Sequence, residues 1–231
     1  MDSFTPENLL LAAILIPCLI IAIVFHEVAH GWTALALGDS TAKDRNRLSF
    51  NPLRHVDPVG TILLPGAMLF LGGPIFGWAK PVPVIKDRLN NPRFGMMAVG
   101  AAGPAMNFFL AAVGAVALGL FASYFAGASS EFIKVAGQAM TTFIVINIFL
   151  ALFNLLPIPP FDGSHIVEGL LPPSAARIYE KARPAGMLLF FGIIALSWFA
   201  PGLGVVENFV LPPVTWALNK YLELARFVAG S

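Results

Sequence analysis

The sequence predicts an all-α, polytopic membrane protein, and its composition is the first observation behind this prediction. Of the 231 residues, 57% are hydrophobic and only 12% are charged, with a mean hydropathy of +0.78. Soluble domains are about 45–50% apolar and about 25% charged, so a water-soluble enzyme of this length is excluded. The net charge of +1 provides no basic surface for binding nucleic acid.

The second observation is the length of the apolar runs, since a helix needs roughly 20 residues to cross a bilayer. Three runs satisfy this requirement: Leu9–Leu37, Phe94–Phe125 and Phe132–Leu156. Ala185–Phe199 and the Pro-interrupted run Val205–Leu218 predict one or two further C-terminal membrane helices. We expect a single domain over residues 1–231, with a three-helix core at about 9–165 and the C-terminal helices at about 166–231.

The basic residues predict the topology, because cytoplasmic loops carry an excess of Lys and Arg. If Val59–Trp78 re-enters the bilayer without crossing it, all of the 14 basic residues except Lys134 lie on one side. A full crossing would weaken this asymmetry, and the Pro and Gly residues of the segment disfavour a straight helix. We therefore expect a re-entrant segment, and an amphipathic tail over Trp216–Phe227 that lies on the inner surface.

The strongest chemical signal is His26-Glu27-Val28-Ala29-His30 within the first apolar run. On a helix, residues four apart share one face, so both imidazoles can bind the same metal ion, with Glu27 placed to act on a water there. Three ionisable groups in an apolar span are costly to bury, and a divalent cation compensates them. The alternative, two histidines that only hydrogen-bond to neighbouring helices, is weaker for that reason.

A catalytic zinc ion usually takes three protein ligands and leaves a fourth position open, so a third ligand is required. The candidates are His55, Asp57, Asp162 and His165. Prolines before Asp162 end the third span and could let its carboxylate turn back toward the helices. An ordinary Asp-Gly turn explains Asp162 equally well, so local sequence leaves the choice open.

These residues resemble the site-2 proteases, intramembrane zinc metalloproteases that cleave membrane-spanning substrates already shortened by an earlier cut. Three motifs carry the resemblance, in family order: His26–His30, Gly100–Asn107 and Asn154–Gly163. The resemblance assigns the third-ligand role to Asp162, and Phe161 before it is a modest departure from the family pattern. Only about six residues, 126–131, join the second and third core spans. This is therefore the compact form, without the PDZ domain that one bacterial branch inserts there.

The resemblance implies a zinc endopeptidase with one Zn²⁺ per chain, held by His26, His30 and Asp162. Glu27 would accept a proton from the attacking water and deliver it to the leaving amine. Asn107 is predicted to donate a hydrogen bond to the developing oxyanion, with a purely structural bond between helices as the alternative.

Other residues are assigned supporting roles by the resemblance or by their position. Gly77–Val84 looks like the edge of the family's membrane-associated β-loop, on which an unwound substrate adds as a strand, or else an extended surface loop. His55 and Asp57 are expected beside the site or in a loop network. His165 and Glu168 are expected to form hydrogen bonds.

The implied partners are a membrane-spanning protein substrate, already cleaved once, and the lipid bilayer, with no nucleic acid. The sequence does not determine the oligomeric state or the substrate. The implied location is a bacterial-type inner or cell membrane, with the active site toward the cytoplasmic side.

Two other functions are consistent with a zinc site in a membrane. A zinc carrier or sensor needs no Glu beside the first ligand, and it would space polar groups along a path through several helices. A catalytically inactive scaffold would lack one of the catalytic residues. The polar groups here cluster on one half of the bilayer and none of those residues is missing, which favours the endopeptidase.

Overall fold

The computed structural model describes residues 5–64, 67, 77–204 and 206–230. In chain order its α-helices are α1 (Pro6–Ala36), α2 (Thr41–Asp44), α3 (Pro92–Tyr124), α4 (Glu131–Asn154), α5 (Gly163–Leu170), α6 (Pro173–Lys181), α7 (Arg183–Phe199) and α8 (Leu211–Ala229). Within this described part, α1, α3 and α4 are long and apolar enough to cross a membrane. They coincide with the three predicted spans, and the all-α polytopic membrane fold is confirmed.

Each long helix begins at a side chain that caps its first turn. Thr5, Asn91 and Ser130 each accept a hydrogen bond from the backbone N–H three residues later. Such caps satisfy amide groups that have no partner within the helix. The polar residues between the apolar runs therefore determine where the helices start.

Helix α3 lies at the centre and packs against α1, α4 and α8. Small side chains make this packing close: Ala111 and Ala115 of α3 are fully buried against Ile144 and Ile148 of α4. Small residues are the usual means by which membrane helices approach one another, because lipid provides little hydrophobic driving force between them. The bundle thus positions the polar side chains of α1 and α3 face to face.

The C-terminal region differs in part from the sequence prediction. The helices α7 and α8 lie where the further C-terminal helices were expected, but within the described residues neither is among the helices long and apolar enough to cross a membrane. Pro212 and Pro213 do not interrupt α8, since they occupy its first turn. The prediction that Trp216–Phe227 lies on the inner surface is wrong, because α8 packs against α3 and α4 in the bundle. A side chain at Gly119 of α3 would collide with the Ala225 carbonyl, so this glycine permits the close approach.

Much of the segment Val59–Trp78 lies outside the described residues, but its two ends are adjacent. The Trp78 N–H donates to the Gly60 carbonyl at 3.1 Å, and the Thr61 hydroxyl donates to the Trp78 carbonyl at 2.9 Å. The two described ends of the segment therefore lie side by side, and the predicted re-entrant course between them lies outside the described residues. Residues 77–85 that follow form neither helix nor strand, and the described part of the chain contains no β-strand. Within the described residues Gly77–Val84 therefore fits the surface-loop alternative, and the β-loop edge stays a prediction.

Candidate metal centre

Helix α1 and the loop after α4 bring the three predicted ligands to one point. The Nε2 atoms of His26 and His30 are 3.0 Å apart, and Asp162 Oδ2 lies 3.1 Å and 3.3 Å from them, respectively. Among the described residues, these three side chains form the one group of His, Cys, Asp and Glu whose ligand atoms converge in this way. His55, Asp57 and His165, the other candidates for the third ligand, are not part of it.

Hydrogen bonds behind each imidazole determine which nitrogen faces the common point. His26 Nδ1 is 2.6 Å from Asn107 Oδ1, and His30 Nδ1 is 2.6 Å from the Val99 carbonyl oxygen. Both partners are acceptors, so both Nδ1 atoms carry the hydrogen and both Nε2 atoms present lone pairs. Two lone pairs and a carboxylate oxygen at such short distances repel one another unless a cation lies among them.

The surroundings of these atoms fit a metal ion. Asp162 Oδ2 is buried and has no hydrogen-bond partner. A Cβ on Gly103 would lie 2.5 Å from His30 Nε2 and 2.6 Å from His26 Nε2, so any other residue would fill the space beside the imidazoles. Two imidazoles and one carboxylate are a donor set that catalytic zinc sites use, and they leave one position free. The residues present therefore fit Zn²⁺.

Glycines at two places let Asp162 reach the histidines. A side chain at Gly163 would collide with the Leu155 carbonyl, and a Cβ on Gly100 would lie 3.0 Å from the Asp162 carbonyl oxygen. The chain can therefore fold back tightly after α4 and lie directly against α3. This close approach explains why the Gly100–Asn107 and Asn154–Gly163 motifs occur together with the histidines.

The contacts of Asn107 do not support the predicted hydrogen bond to an oxyanion. Its side chain is fully buried, its Oδ1 accepts from His26, and its Nδ2 donates to the Ala22 carbonyl at 3.1 Å and to Asn147 Oδ1 at 2.9 Å. Both amide hydrogens are therefore committed to the protein. In this arrangement Asn107 orients the His26 ring, a role that metal-ligand histidines commonly require. Sequence reasoning missed Asn147, although a buried amide within an apolar span requires a polar partner.

Glu27 lies at the edge of a cavity of about 540 Å³ that the metal-ligand candidates also line. Its Oε2 accepts a hydrogen bond from the Val82 N–H at 2.7 Å. The cavity is also lined by three aromatic rings that pack edge-on, those of Phe153, Phe161 and Phe190. The ring centroid of Phe161 lies 4.5 Å from that of Phe153 and 4.9 Å from that of Phe190. The cavity therefore combines a carboxylate with an apolar wall.

A second charged cluster lies on α5, directly after Asp162. The carboxylate of Glu168 is 2.6 Å from Lys86 Nζ and 2.5 Å from Arg183 Nη2. Burial raises the pKa of the Glu168 carboxyl, but the hydrogen bonds from Lys86 and Arg183 outweigh this effect and hold the pKa below its ordinary value. His165 Nδ1 is 3.1 Å from the same Arg183 nitrogen, so His165 and Glu168 both have the hydrogen-bonding roles expected of them.

The remaining candidates lie in loop contacts away from the convergence point. His55 is buried, and its Nε2 is 2.7 Å from the Ser49 carbonyl oxygen. Asp57 caps the short π-helix Pro58–Leu63 by accepting from the Val59 and Gly60 amides. Both belong to a loop network, one of the two roles that the sequence left open.

Several known proteins are similar to this chain. A family model described as "Peptidase family M50" matches residues 14–197. YwhC of Bacillus subtilis, named as a candidate zinc metalloprotease, is 39% identical over 190 residues, which cover 82% of this chain and 84% of YwhC. Rip2 of Mycolicibacterium smegmatis, named likewise, is 30% identical over 170 residues, 74% of this chain and 62% of Rip2. Rip2 of Mycobacterium tuberculosis is 28% identical over 184 residues, 78% of this chain and 67% of that protein. No solved structure matches the chain.

Proposed function

This chain belongs to peptidase family M50, and we propose that it hydrolyses peptide bonds of membrane-spanning proteins within or near the bilayer. It is a membrane zinc metalloprotease, and its cofactor is Zn²⁺. The family sets aside the non-hydrolytic zinc carrier or sensor. The observation that carries the proposal is the convergence of His26, His30 and Asp162 beside helices long enough to cross a membrane.

In this proposal His26 Nε2, His30 Nε2 and Asp162 Oδ2 are the three metal ligands. When bound, Zn²⁺ supplies the Lewis acidity that makes a water molecule nucleophilic near neutral pH. Asn107 and the Val99 carbonyl hold the two imidazoles with Nε2 facing inward. Residues behind the ligands thus fix both tautomers before any substrate enters.

Glu27 is the proposed general base and acid. Its Oε2 is held by the Val82 amide, so Oε1 receives the proton of the attacking water and returns it to the leaving amine. The peptide bond must leave its helix before attack, because a helical amide is enclosed in its own hydrogen-bond ladder. The aromatic wall of the cavity provides an apolar surface for the side chains of such an unwound segment.

The substrate we propose is a membrane-spanning protein that an earlier cleavage has shortened. The predicted positions of the basic residues before α8 support an orientation with the metal centre toward the cytoplasmic side of a bacterial cell membrane. The role is therefore the second cut in regulated intramembrane proteolysis.

The proposal is tested with Glu27→Gln, which keeps the size of the side chain and removes its basicity. The probe is a purified single-span membrane protein truncated to a short tail on the outer side, reconstituted with the protease in nanodiscs. We expect cleavage to fall at least about 10³-fold, within the range that general acid–base catalysis contributes. Zinc content, measured by atomic emission, should stay unchanged.

Glu131→Gln is the matched control, because Glu131 is an exposed residue at the start of α4, paired only with Lys134 at 3.6 Å. Its cleavage rate should equal that of the wild type. Full cleavage by Glu27→Gln would reject Glu27 as the base.

Quantitative comparison of membrane proteomes carrying wild type or Glu27→Gln would then identify substrates as proteins that accumulate uncut.

A further inference from the structure

The loop of residues 77–85 is bound to the rest of the protein through its backbone amides. Three even-numbered amides donate hydrogen bonds: Trp78 to the Gly60 carbonyl at 3.1 Å, Lys80 to the His55 carbonyl at 2.8 Å and Val82 to Glu27 Oε2 at 2.7 Å. Residues 78, 80 and 82 therefore all present their backbone N–H groups toward other parts of the protein. The third of these bonds differs from the others because its acceptor is a carboxylate.

The sequence around Val82 leaves a single donor at this point. Val82 stands between Pro81 and Pro83, and proline has no backbone N–H. The prolines also restrict the backbone on both sides of Val82, because their φ angles are fixed. The Pro-Val-Pro sequence therefore presents one amide hydrogen, and that hydrogen is directed at Glu27.

The position of this amide is fixed from both ends of the segment. On one side Arg47, which is 8% exposed, donates to the Lys80 carbonyl at 2.6 Å. On the other side the Ile85 N–H donates at 2.6 Å to Oδ2 of Asp39, which is fully buried. Buried partners of this kind hold a backbone segment more rigidly than solvent-exposed ones.

The side chain of Val82 is itself packed against α1. Val82 is 7% exposed, and a Cβ on Gly31 would lie 2.9 Å from its Cγ1 atom. Gly31 directly follows the metal-ligand candidate His30, so the absence of a side chain there lets the segment approach the helix that carries Glu27. The amide and the carboxylate are therefore held on two elements in close contact.

We propose that the main-chain N–H of Val82 is a positioning group for the Glu27 carboxylate. This inference rests on the proposed role of Glu27 as the general base. The hydrogen bond holds Oε2 and stops rotation of the carboxylate, which leaves Oε1 directed at the attacking water. Orientation of a reacting group in this way contributes to the rate, and a misplacement of about 1 Å can cost about 10²-fold.

The test replaces the Val82 amide by an ester, through incorporation of the α-hydroxy analogue of valine during cell-free synthesis into nanodiscs. The ester keeps the side chain and removes only the N–H. With the truncated single-span protein as substrate, we expect kcat to fall about 10- to 100-fold. KM should stay within about twofold and zinc content should stay at the wild-type level, because the hydrogen bond orients the Glu27 carboxylate without binding the substrate or the metal ligands.

The matched control is the same ester at Leu53, whose N–H donates to Asn51 Oδ1 at 3.0 Å in an exposed turn. Its kcat should equal that of the wild type. Val82→Pro removes the same N–H by ordinary mutagenesis and should reproduce the ester's loss of kcat with zinc retained.

Three outcomes at Val82 would overturn the inference: an unchanged kcat with or without a raised KM, an increased kcat, or a loss of zinc. An increased kcat would identify the contact as a resting-state lock. Glu27→Gln separates this inference from the function on which it depends. If Glu27→Gln still cleaves, the proposed base is wrong; if it is inactive while the Val82 ester cleaves fully, only the positioning role fails.

Discussion

The candidate ligands are supported in two different ways on the two sides of the metal centre. Behind His26 lies a neutral network in which Asn107, fully buried, joins the ring to Asn147 on α4. Behind Asp162 lies α5, which the ion pairs of Glu168 attach to the short 3₁₀-helix Lys86–Arg88 before α3 and to the start of α7. One side is therefore held by amides and the other by charges.

The difference follows from the surroundings of each network. A charge within the hydrocarbon region is expensive, so amides are the polar groups that can be buried there at an acceptable cost. Lys86 and Arg183 keep 39% and 33% of their side-chain surface exposed, which lets water share their solvation. We therefore expect the neutral side to be insensitive to salt and the ionic side to respond to salt and to acid.

Removal of Asp162 should have the largest effect on metal binding. Asp162→Ala deletes the one ligand contributed from outside α1, and we expect zinc affinity to fall by more than about 100-fold, beyond the loss typical of supporting residues. Competition with a chelator measures the affinity. Asp87→Ala, a change at an exposed Asp in the 3₁₀-helix Lys86–Arg88 before α3, should have no effect. Unaltered zinc binding in Asp162→Ala would show that the carboxylate is not a ligand.

Asn107→Ala tests the neutral side. It removes the acceptor that orients His26, and we expect zinc affinity to fall about 10- to 100-fold, to the same extent at low and high ionic strength. Thr141→Ala is the control, since Thr141 on α4 donates only to the Gly137 carbonyl, at 2.9 Å. A loss of affinity that disappears at high salt would contradict the assignment of this network as neutral.

Glu168→Gln tests the ionic side. Because both cations remain about one-third exposed, we expect the free energy of unfolding to fall by only about 1–2 kcal/mol, less than for a fully buried pair. Thermal unfolding at low and high ionic strength measures the loss of stability. The difference between wild type and Glu168→Gln should shrink at high salt, because salt screens the ion pairs of the wild type. Glu223→Gln breaks the exposed Lys220–Glu223 pair, 3.0 Å long, and should change stability little. If Glu168→Gln and Glu223→Gln lost the same free energy of unfolding, the Glu168 cluster would be no stronger than an exposed ion pair.

The smallest expected effect is the dependence of stability on pH. The pKa of Glu168 lies below its ordinary value of 4.5, so its contribution is complete above about pH 4.5 and is lost as the pH falls through the folded-state pKa. Asp39 acts in the same direction: burial raises its pKa, but hydrogen bonds from Thr41 and the Ile85 amide outweigh this and lower it. Thermal unfolding across acidic pH should show a shallower loss of stability for Glu168→Gln than for the wild type.

The local features of this protein were predictable from its sequence. Apolar runs of sufficient length predicted α1, α3 and α4, and the spacing of His26 and His30 placed both imidazoles on one helical face. Both predictions depend on helix geometry alone, which relates neighbours along the chain. The error at Pro212 and Pro213 has a local cause as well, since the same residues can end one helix or begin another.

The supporting contacts could be found only in the tertiary structure. Asn107 meets His26 across 81 residues and Val82 meets Glu27 across 55, so no periodicity relates either pair. The commitment of both Asn107 amide hydrogens, which favours an orienting role over the predicted oxyanion role, depends on how α1, α3 and α4 pack. The sequence by itself thus determined which groups are chemically able to act, because residue type and helical spacing are local properties. The packing of distant segments decided which atoms of those groups remain available, because hydrogen-bond partners are chosen by position in space.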